Sequence, residues 1–350
     1  MSTTTDTRAP RTSAAGPVPL LEVSGLTKHF PIMGGFPFKR QIGAVRAVED
    51  VSFSIAPGES LGLVGESGCG KSTTGRMVTR LMDPTGGRIA YAGQDITHAN
   101  RKQLAPVRSE IQMIFQDPYS SLNPRHTVGT IIGKPMAING IEPAGGREKR
   151  VRELMETVGL NPEHYNRFPH EFSGGQRQRI GVARALGLNP KLIVADEPVS
   201  ALDVSIQAQV VNLLQELQKE LGIAFLFIAH DLAVVRHFSQ RVAVMYLGKV
   251  VEIADRDSLY GNPRHPYTKA LLSAVPEVTS AARKAGATGA AKRERILLKG
   301  DVPSPIDPPS GCRFRTRCWK AVEKCATEAP PLVQLSGSGD GHLTACHFPE

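Results

Sequence analysis

The sequence predicts an α/β protein: a core parallel sheet flanked by helices, an antiparallel β-subdomain ahead of it, an inserted α-helical subdomain and a cysteine-containing extension. Three observations carry this reading. Short apolar runs of strand length, Leu192–Ala195 and Gly222–Ala229, alternate with segments of helical spacing, the pattern of buried parallel strands joined by helices. Ser60–Val64 runs straight into glycines and then into a helix-compatible stretch, Ser72–Leu81. Leu20–Val64 instead carries short alternating runs, Leu21-Glu22-Val23 and Val51-Ser52-Phe53-Ser54-Ile55, as antiparallel strands do.

Taken in order, Met1–Pro17 is rich in Thr, Ser, Ala and Pro and lacks an apolar core of signal-peptide length, so 1–18 reads as a disordered tail. A first folded domain is expected over 19–255, split early by a Gly/Pro-rich loop, Pro31–Gly43. Residues of about 100–171 lack strong strands, and Arg147–Val158 has helical spacing through Val151, Leu154, Met155 and Val158, so this part reads as the helical insertion. After a Gly-Gly turn come a helix at Gln176–Leu186 and the helix Val204–Leu221, whose Ile206, Val210, Leu213, Leu214, Leu217 and Leu221 share a face. Beyond Asp255 the texture changes to an Ala-rich basic segment, Thr279–Arg295, a proline cluster and then cysteines, which predicts an extension over 256–350 behind a flexible linker. No run approaches the roughly 18 apolar residues of a membrane-spanning helix. The expected location is the cytoplasm. The net charge of +9 suits a nucleic acid, an anionic membrane surface or simply a solvated basic surface, and does not choose among them.

Chemistry enters at Gly65-Glu66-Ser67-Gly68-Cys69-Gly70-Lys71-Ser72, followed by Thr73. The spacing of Gly65, Gly70, Lys71 and Ser72 is that of a phosphate-binding loop between strand and helix. Glycines let backbone N–H groups converge on phosphate oxygens, and the helix N-terminus adds partial positive charge. Lys71 would neutralise the β- and γ-phosphates of a nucleotide, and the Ser72 hydroxyl would hold Mg2+. Such a site needs carboxylates at a neighbouring strand end. Leu192-Ile193-Val194-Ala195-Asp196-Glu197 supplies them: Asp196 for Mg2+ and Glu197 to orient and deprotonate the attacking water. The whole describes a P-loop NTPase core.

Ser173-Gly174-Gly175-Gln176, opening a helix 23 residues ahead of Asp196, resembles the signature motif of ABC-type ATPases. Physically it is a second anion site, a serine and glycine amides at a helix N-terminus with Arg177 and Arg179 beside it. The resemblance implies that it meets the γ-phosphate of ATP held by a partner subunit. It also implies a magnesium-sensing role for Gln116, which links the site to a transmembrane subunit. His230 would be the switch histidine, Phe30 the aromatic that stacks on adenine, and Ser200–Asp203 the loop across the dimer interface. The likeness covers residues of about 20–255.

Three further stretches resemble the ATPase subunits of bacterial oligopeptide and dipeptide importers, most of all the second of the two such systems usually carry. These are Tyr119-Ser120-Ser121-Leu122-Asn123-Pro124, the long loop before Val45, and Asn262-Pro263-Arg264-His265-Pro266-Tyr267-Thr268. The last has no chemistry legible in its residues beyond a capping turn. Cys312, Cys318, Cys325 and Cys346, spaced C-x5-C-x6-C-x20-C, suggest metal in a reducing compartment, and four thiolates suit a 4Fe-4S cluster or a tetrahedral Zn2+ equally on chemistry. Resemblance to peptide importers favours the 4Fe-4S cluster, with Arg313, Arg315, Arg317, Lys320 and Lys324 expected to offset thiolate charge. Implied partners are a second, different ATPase subunit, two transmembrane permease subunits and an extracytoplasmic binding protein, with the chain on the cytoplasmic face of the membrane. Nickel or another small solute is an alternative cargo. A soluble ABC ATPase acting on nucleic acid or ribosomes is the rival reading, but those usually carry two ATPase units or a long coiled-coil insertion, and this chain has one unit. No nucleic-acid partner is expected.

Overall fold

The computed structural model describes residues 18–35, 40–275, 295–334 and 341–350. The N-terminal tail and nearly all of the Ala-rich linker lie outside the described residues. Strands β1 (Leu21–Gly34) and β2 (Arg40–Ile55) form a long antiparallel hairpin, from Leu21 opposite Ile55 to Gly34 opposite Arg40. Of the loop expected at Pro31–Gly43, residues 31–34 and 40–43 are therefore strand. Pro31 is tolerated because β1 pairs with β4 (Gly86–Tyr91) only as far as Thr27, so the missing N–H interrupts no second ladder. With the short β5 (Gln94–Asp95) these strands make a four-stranded antiparallel sheet, as the alternating pattern predicts.

The second sheet has eight strands. Strand β3 (Ser60–Val64) leads into α1 (Lys71–Val78), and after the antiparallel sheet α2 (Arg101–Glu110) leads into β6 (Ile111–Ile114). Helices α3 (Pro118–Ser121), α4 (Val128–Ile138), α5 (Gly146–Thr157) and α6 (Gly174–Leu186) form the insertion. Next come β7 (Leu192–Asp196), α7 (Val204–Leu221), β8 (Ala224–Ala229), α8 (Leu232–Phe238), β9 (Arg241–Tyr246) and β10 (Lys249–Asp255). The strands β9-β3-β8-β7-β6 run parallel in that order. Strand β6 was not foreseen, because its four residues carry too little periodicity to separate from the helices around it. The helical insertion consequently starts after Ile114 rather than near residue 100.

Alternate residues of the central strands serve two cores. Phe225, Phe227 and Ala229 face the helical side, whereas Ala224, Leu226 and Ile228 pack with the antiparallel sheet. Covering both faces explains why β7 and β8 are apolar at every position. Helix α7 buries Val210, Leu213, Leu214 and Leu217 as its spacing implies, but Leu221 is exposed at its last turn.

The extension is joined to this core. Helices α9 (Arg256–Gly261) and α10 (Pro266–Ser273) follow β10, and the later α11 (Glu323–Thr327), β11 (Val333–Gln334) and β12 (Leu343–Thr344) continue the chain. Strand β12 pairs with β10 and β11 with β12, lengthening the main sheet. Phe314 is buried against Tyr246 and Tyr267, with centroids 5.2 and 5.3 Å away. The Arg264–Thr268 stretch gains its chemistry here. Buried Glu252 of β10 accepts from the N–H of Arg264 at 2.7 Å and of His265 at 3.0 Å, and lies 2.7 Å from His342 Nε2. Burial pushes His265 down to about 4, so its neutral Nδ1 accepts the Tyr267 N–H at 3.0 Å and caps α10. Replacing Glu252 by Ala should cost roughly 3 to 5 kcal/mol, since it strands two buried N–H groups and an imidazole. A lower urea midpoint measures this, and an unchanged midpoint would refute the anchoring role.

Candidate functional site

The site forms where the parallel strands end. Gly65 follows β3, Gln116 lies just beyond β6, Asp196 ends β7 with Glu197 next after it, and His230 follows β8. Gly65 has φ 155° and a Cβ there would stand 2.1 Å from the Met245 carbonyl oxygen; at Gly70, with φ 106°, it would stand 2.2 Å from that of Ala47. Only glycine lets the loop lie this close to β9 and β2. Ser67 and Gly68, at the loop's tip, are exposed, and Thr73 is half-buried in α1.

Lys71 is buried, and its Nζ donates to the carbonyls of Gly65 at 2.8 Å and Glu66 at 3.0 Å. Ser72 Oγ donates to Asp196 Oδ1 at 2.7 Å, tying the start of α1 to the end of β7. Glu197 Oε2 accepts from Gln116 Nε2 at 2.9 Å and lies 3.5 Å from His230 Nδ1. Its backbone is left-handed at φ 44°, a strained conformation for a carboxylate side chain, held by the Glu197 N–H bond to the Ile228 carbonyl. Four separate stretches of sequence thus meet, bringing together Ser72, Gln116, the adjacent Asp196 and Glu197, and His230. Their hydroxyl, amide, carboxylates and imidazole are the donor set for a hydrated divalent cation and a polyphosphate.

The remaining candidates do not join this cluster. Among the described residues, no hydrogen bond or ion pair links Ser173, Asp203 or Phe30 to the phosphate loop. Ser173 caps α6, its Oγ accepting from Gln176 N–H at 3.3 Å while Gln176 Oε1 accepts from Ser173 N–H at 3.0 Å. Ser173 and Gln176 are exposed. A Cβ on Gly175 would stand 2.4 Å from Ile206, so that glycine serves the packing of α6 on α7. Arg177 and Arg179, expected beside the anion site, instead turn to backbone carbonyls: Arg177 Nε to Pro169 at 2.7 Å, Arg179 Nη1 to Val158 at 2.5 Å. Asp203 precedes α7 without a capping bond, and Phe30 is half-buried in β1 with Lys28 Nζ 5.3 Å from its ring centre.

Against known proteins, the family profile described as "ABC transporter" matches residues 48–200, and "Oligopeptide/dipeptide transporter, C-terminal region" matches 251–325. The oligopeptide transport ATP-binding protein AppF of Bacillus subtilis (strain 168) is 54% identical over 337 residues, covering 96% of this chain and 99% of that protein. This chain is an ATP-binding subunit of the oligopeptide/dipeptide family of ABC transporters. The dipeptide transport ATP-binding protein DppF of Haemophilus influenzae (strain ATCC 51907 / DSM 11121 / KW20 / Rd) is 49% identical over 94% of this chain and 96% of its own length. Among solved structures, the ATP-binding cassette MJ0796, in a dimeric post-hydrolysis state bound to ADP and Pi, is 28% identical with a TM-score of 0.60, over 67% of this chain and 98% of that one. ATP hydrolysis is the activity of the ABC family, and the residues gathered around Ser72 and Asp196 fit Mg2+ and ATP. Among the described residues no helix is long and apolar enough to cross a membrane.

The ABC subunit's four C-terminal cysteines line one small cavity together with His265, Phe314 and His347, and all are free thiols. Four thiols are the right donor chemistry for iron-sulfur or zinc, yet among the described residues no group of three or more His, Cys, Asp or Glu is arranged to hold a metal ion. The expected cluster thus finds no support in the arrangement. Burial pushes the Cys312 thiol up to about 11 and raises Cys318 and Cys346 too, favouring the protonated form. The basic residues beside them are also spent differently from expectation. Arg313 pairs with Glu49, Arg317 with Glu66, Lys320 with Glu350, Lys324 with Glu328, and Arg315 Nε donates to the Ser310 carbonyl. Sequence reasoning missed the contacts of Arg313, Arg317 and Tyr267 near the phosphate loop, since nothing local in the sequence signals a contact across some 200 residues.

Burial raises the pKa of Asp196, against the Ser72 hydrogen bond and the nearby Arg76, which lower it. The folded state therefore binds its proton more readily than the unfolded chain, and Asp196 withdraws stability as pH rises from the ordinary Asp range through the raised value. Asp196→Asn should then raise the melting temperature of the nucleotide-free protein at neutral pH while abolishing Mg2+-dependent hydrolysis. A lowered melting temperature would contradict the burial argument.

Proposed function

We propose that this subunit hydrolyses ATP at the cytoplasmic face of the cell membrane to drive peptide import. The observation that carries the catalytic part is the Glu197 carboxylate, held by Gln116 at 2.9 Å and beside His230, one residue from the Asp196–Ser72 pair. In this reading the backbone from Gly65 to Thr73, including Glu66, Ser67, Gly68, Cys69 and Gly70, cradles the phosphates while Lys71 offsets their charge. Ser72, Asp196 and Gln116 hold Mg2+, which when bound screens the phosphate oxygens and the charge that develops on them. Glu197 orients the attacking water and takes its proton, and His230 steadies the γ-phosphate. Phe30 stacks on adenine. Ser173, Gly174, Gly175 and Gln176 serve the nucleotide of a facing ATPase subunit, with Asp203 at that interface.

The partners in this reading are a second ATPase subunit, two membrane permease subunits and an extracytoplasmic binding protein. Peptide cargo is supported by the names of the relatives and by the match of the C-terminal region. With Glu197→Gln, hydrolysis by the reconstituted transporter should fall at least about 100-fold while ATP binding persists. Equal turnover of parent and variant would remove Glu197 from the chemistry.

The cysteine cavity belongs to the same proposal. In this reading the four thiols that line one cavity would take up a 4Fe-4S cluster once they are deprotonated and drawn together. Anaerobically purified protein should then show a broad absorbance towards the blue, with matching iron and sulfide. Stoichiometric zinc without that absorbance would overturn the iron assignment.

A further inference from the structure

The phosphate loop is gripped from the cysteine-bearing extension. Arg317 Nη1 lies 2.8 Å from Glu66 Oε2, the arginine side chain 9% exposed and the glutamate 25%. Among the described residues Glu66 is the carboxylate paired with Arg317, whose guanidinium also lies 5.9 Å from the Tyr246 ring centre. Glu66 is also held through its backbone, because its N–H donates to Tyr267 Oη at 3.0 Å, a phenol that burial keeps neutral and far above its usual pKa. The Glu66 carbonyl in turn accepts from Lys71 Nζ at 3.0 Å. One residue thus connects Arg317 to the ammonium group of the phosphate loop. A second tether runs in parallel: Arg313 donates to the Leu247 carbonyl and the Glu49 carboxylate, bracing the β9–β10 turn whose Gly248 N–H donates to Cys69 O at 2.9 Å.

We propose that Arg317 is a positioning residue for ATP, acting through Glu66 to hold the loop amides and Lys71 in their phosphate-binding geometry. It does not touch the nucleotide. A simple staple between extension and core would have no need to end on the second residue of the loop. Fixing a binding loop in advance lowers the cost of ordering it when ligand arrives, so its loss falls on affinity rather than on the chemical step. The inference rests on the phosphate-loop reading of Gly65–Ser72.

The test uses the full-length chain, a fluorescent ATP analogue for Kd, and the reconstituted transporter for KM and kcat. Arg317→Met should raise Kd and KM roughly fivefold to tenfold with kcat changed by less than about twofold, and Arg317→Lys should restore most of the affinity. Combining Arg317→Met with Glu66→Gln should give a Kd no weaker than the worse single variant. An unmoved Kd in folded Arg317→Met, or effects that add in the double variant, would overturn the proposal. Should Arg317→Met fail to fold, Glu66→Gln carries the test alone, and an unchanged Kd there overturns it equally. Lys71→Ala separates the two readings. If it still binds the analogue, the phosphate-loop reading fails; if it does not and Arg317→Met binds normally, only the positioning role fails.

Discussion

Parallel pairing of β3, β8, β7 and β6 is the constraint on which the site rests. Because these strands point the same way and lie side by side, the residues that follow them emerge at one edge of the sheet. Gly65, Gln116, the Asp196–Glu197 pair and His230 come from four separate stretches of sequence and still become neighbours. The 2.7 Å bond from Ser72 to Asp196 then locks the first helix to the middle of that edge. A register slip of one residue would send Asp196 to the opposite core and dissolve the cluster.

What was legible in the sequence follows from how local each signal is. The phosphate loop, the apolar strand ending in Asp196-Glu197 and the capped helix at Ser173 are each written within a dozen residues, and all stand where their patterns place them. The strand character of residues 31–34 and 40–43 was hidden because Pro and Gly read as breakers, whereas Pro31 and Gly34 occupy a part of β1 with one strand neighbour rather than two. Four-residue β6 is defined by its pairing with β7, a fact about another segment. The arginines among the cysteines look like counter-charges along the chain, but the fold carries Arg313 and Arg317 to carboxylates near its other end.

The extension is consequently part of the ATPase body. It lengthens the main sheet, plugs the core with Phe314 and rests on a buried carboxylate, Glu252, that organises Arg264 and His265. Polar groups sealed inside a core specify one arrangement because any alternative leaves them unpaired. That gives the otherwise mute Arg264–Thr268 stretch a physical reason.

The capped start of α6 has one more implication. A serine hydroxyl has two lone pairs and one hydrogen, and in Ser173 only a lone pair is engaged by the Gln176 N–H. Among the described residues the hydrogen has no acceptor. The side chain is free to donate outward without loosening its own helix, so recruiting it need not fray α6, and releasing it need not rebuild a cap. A contact made or broken at this exposed corner would leave the helix beneath it intact.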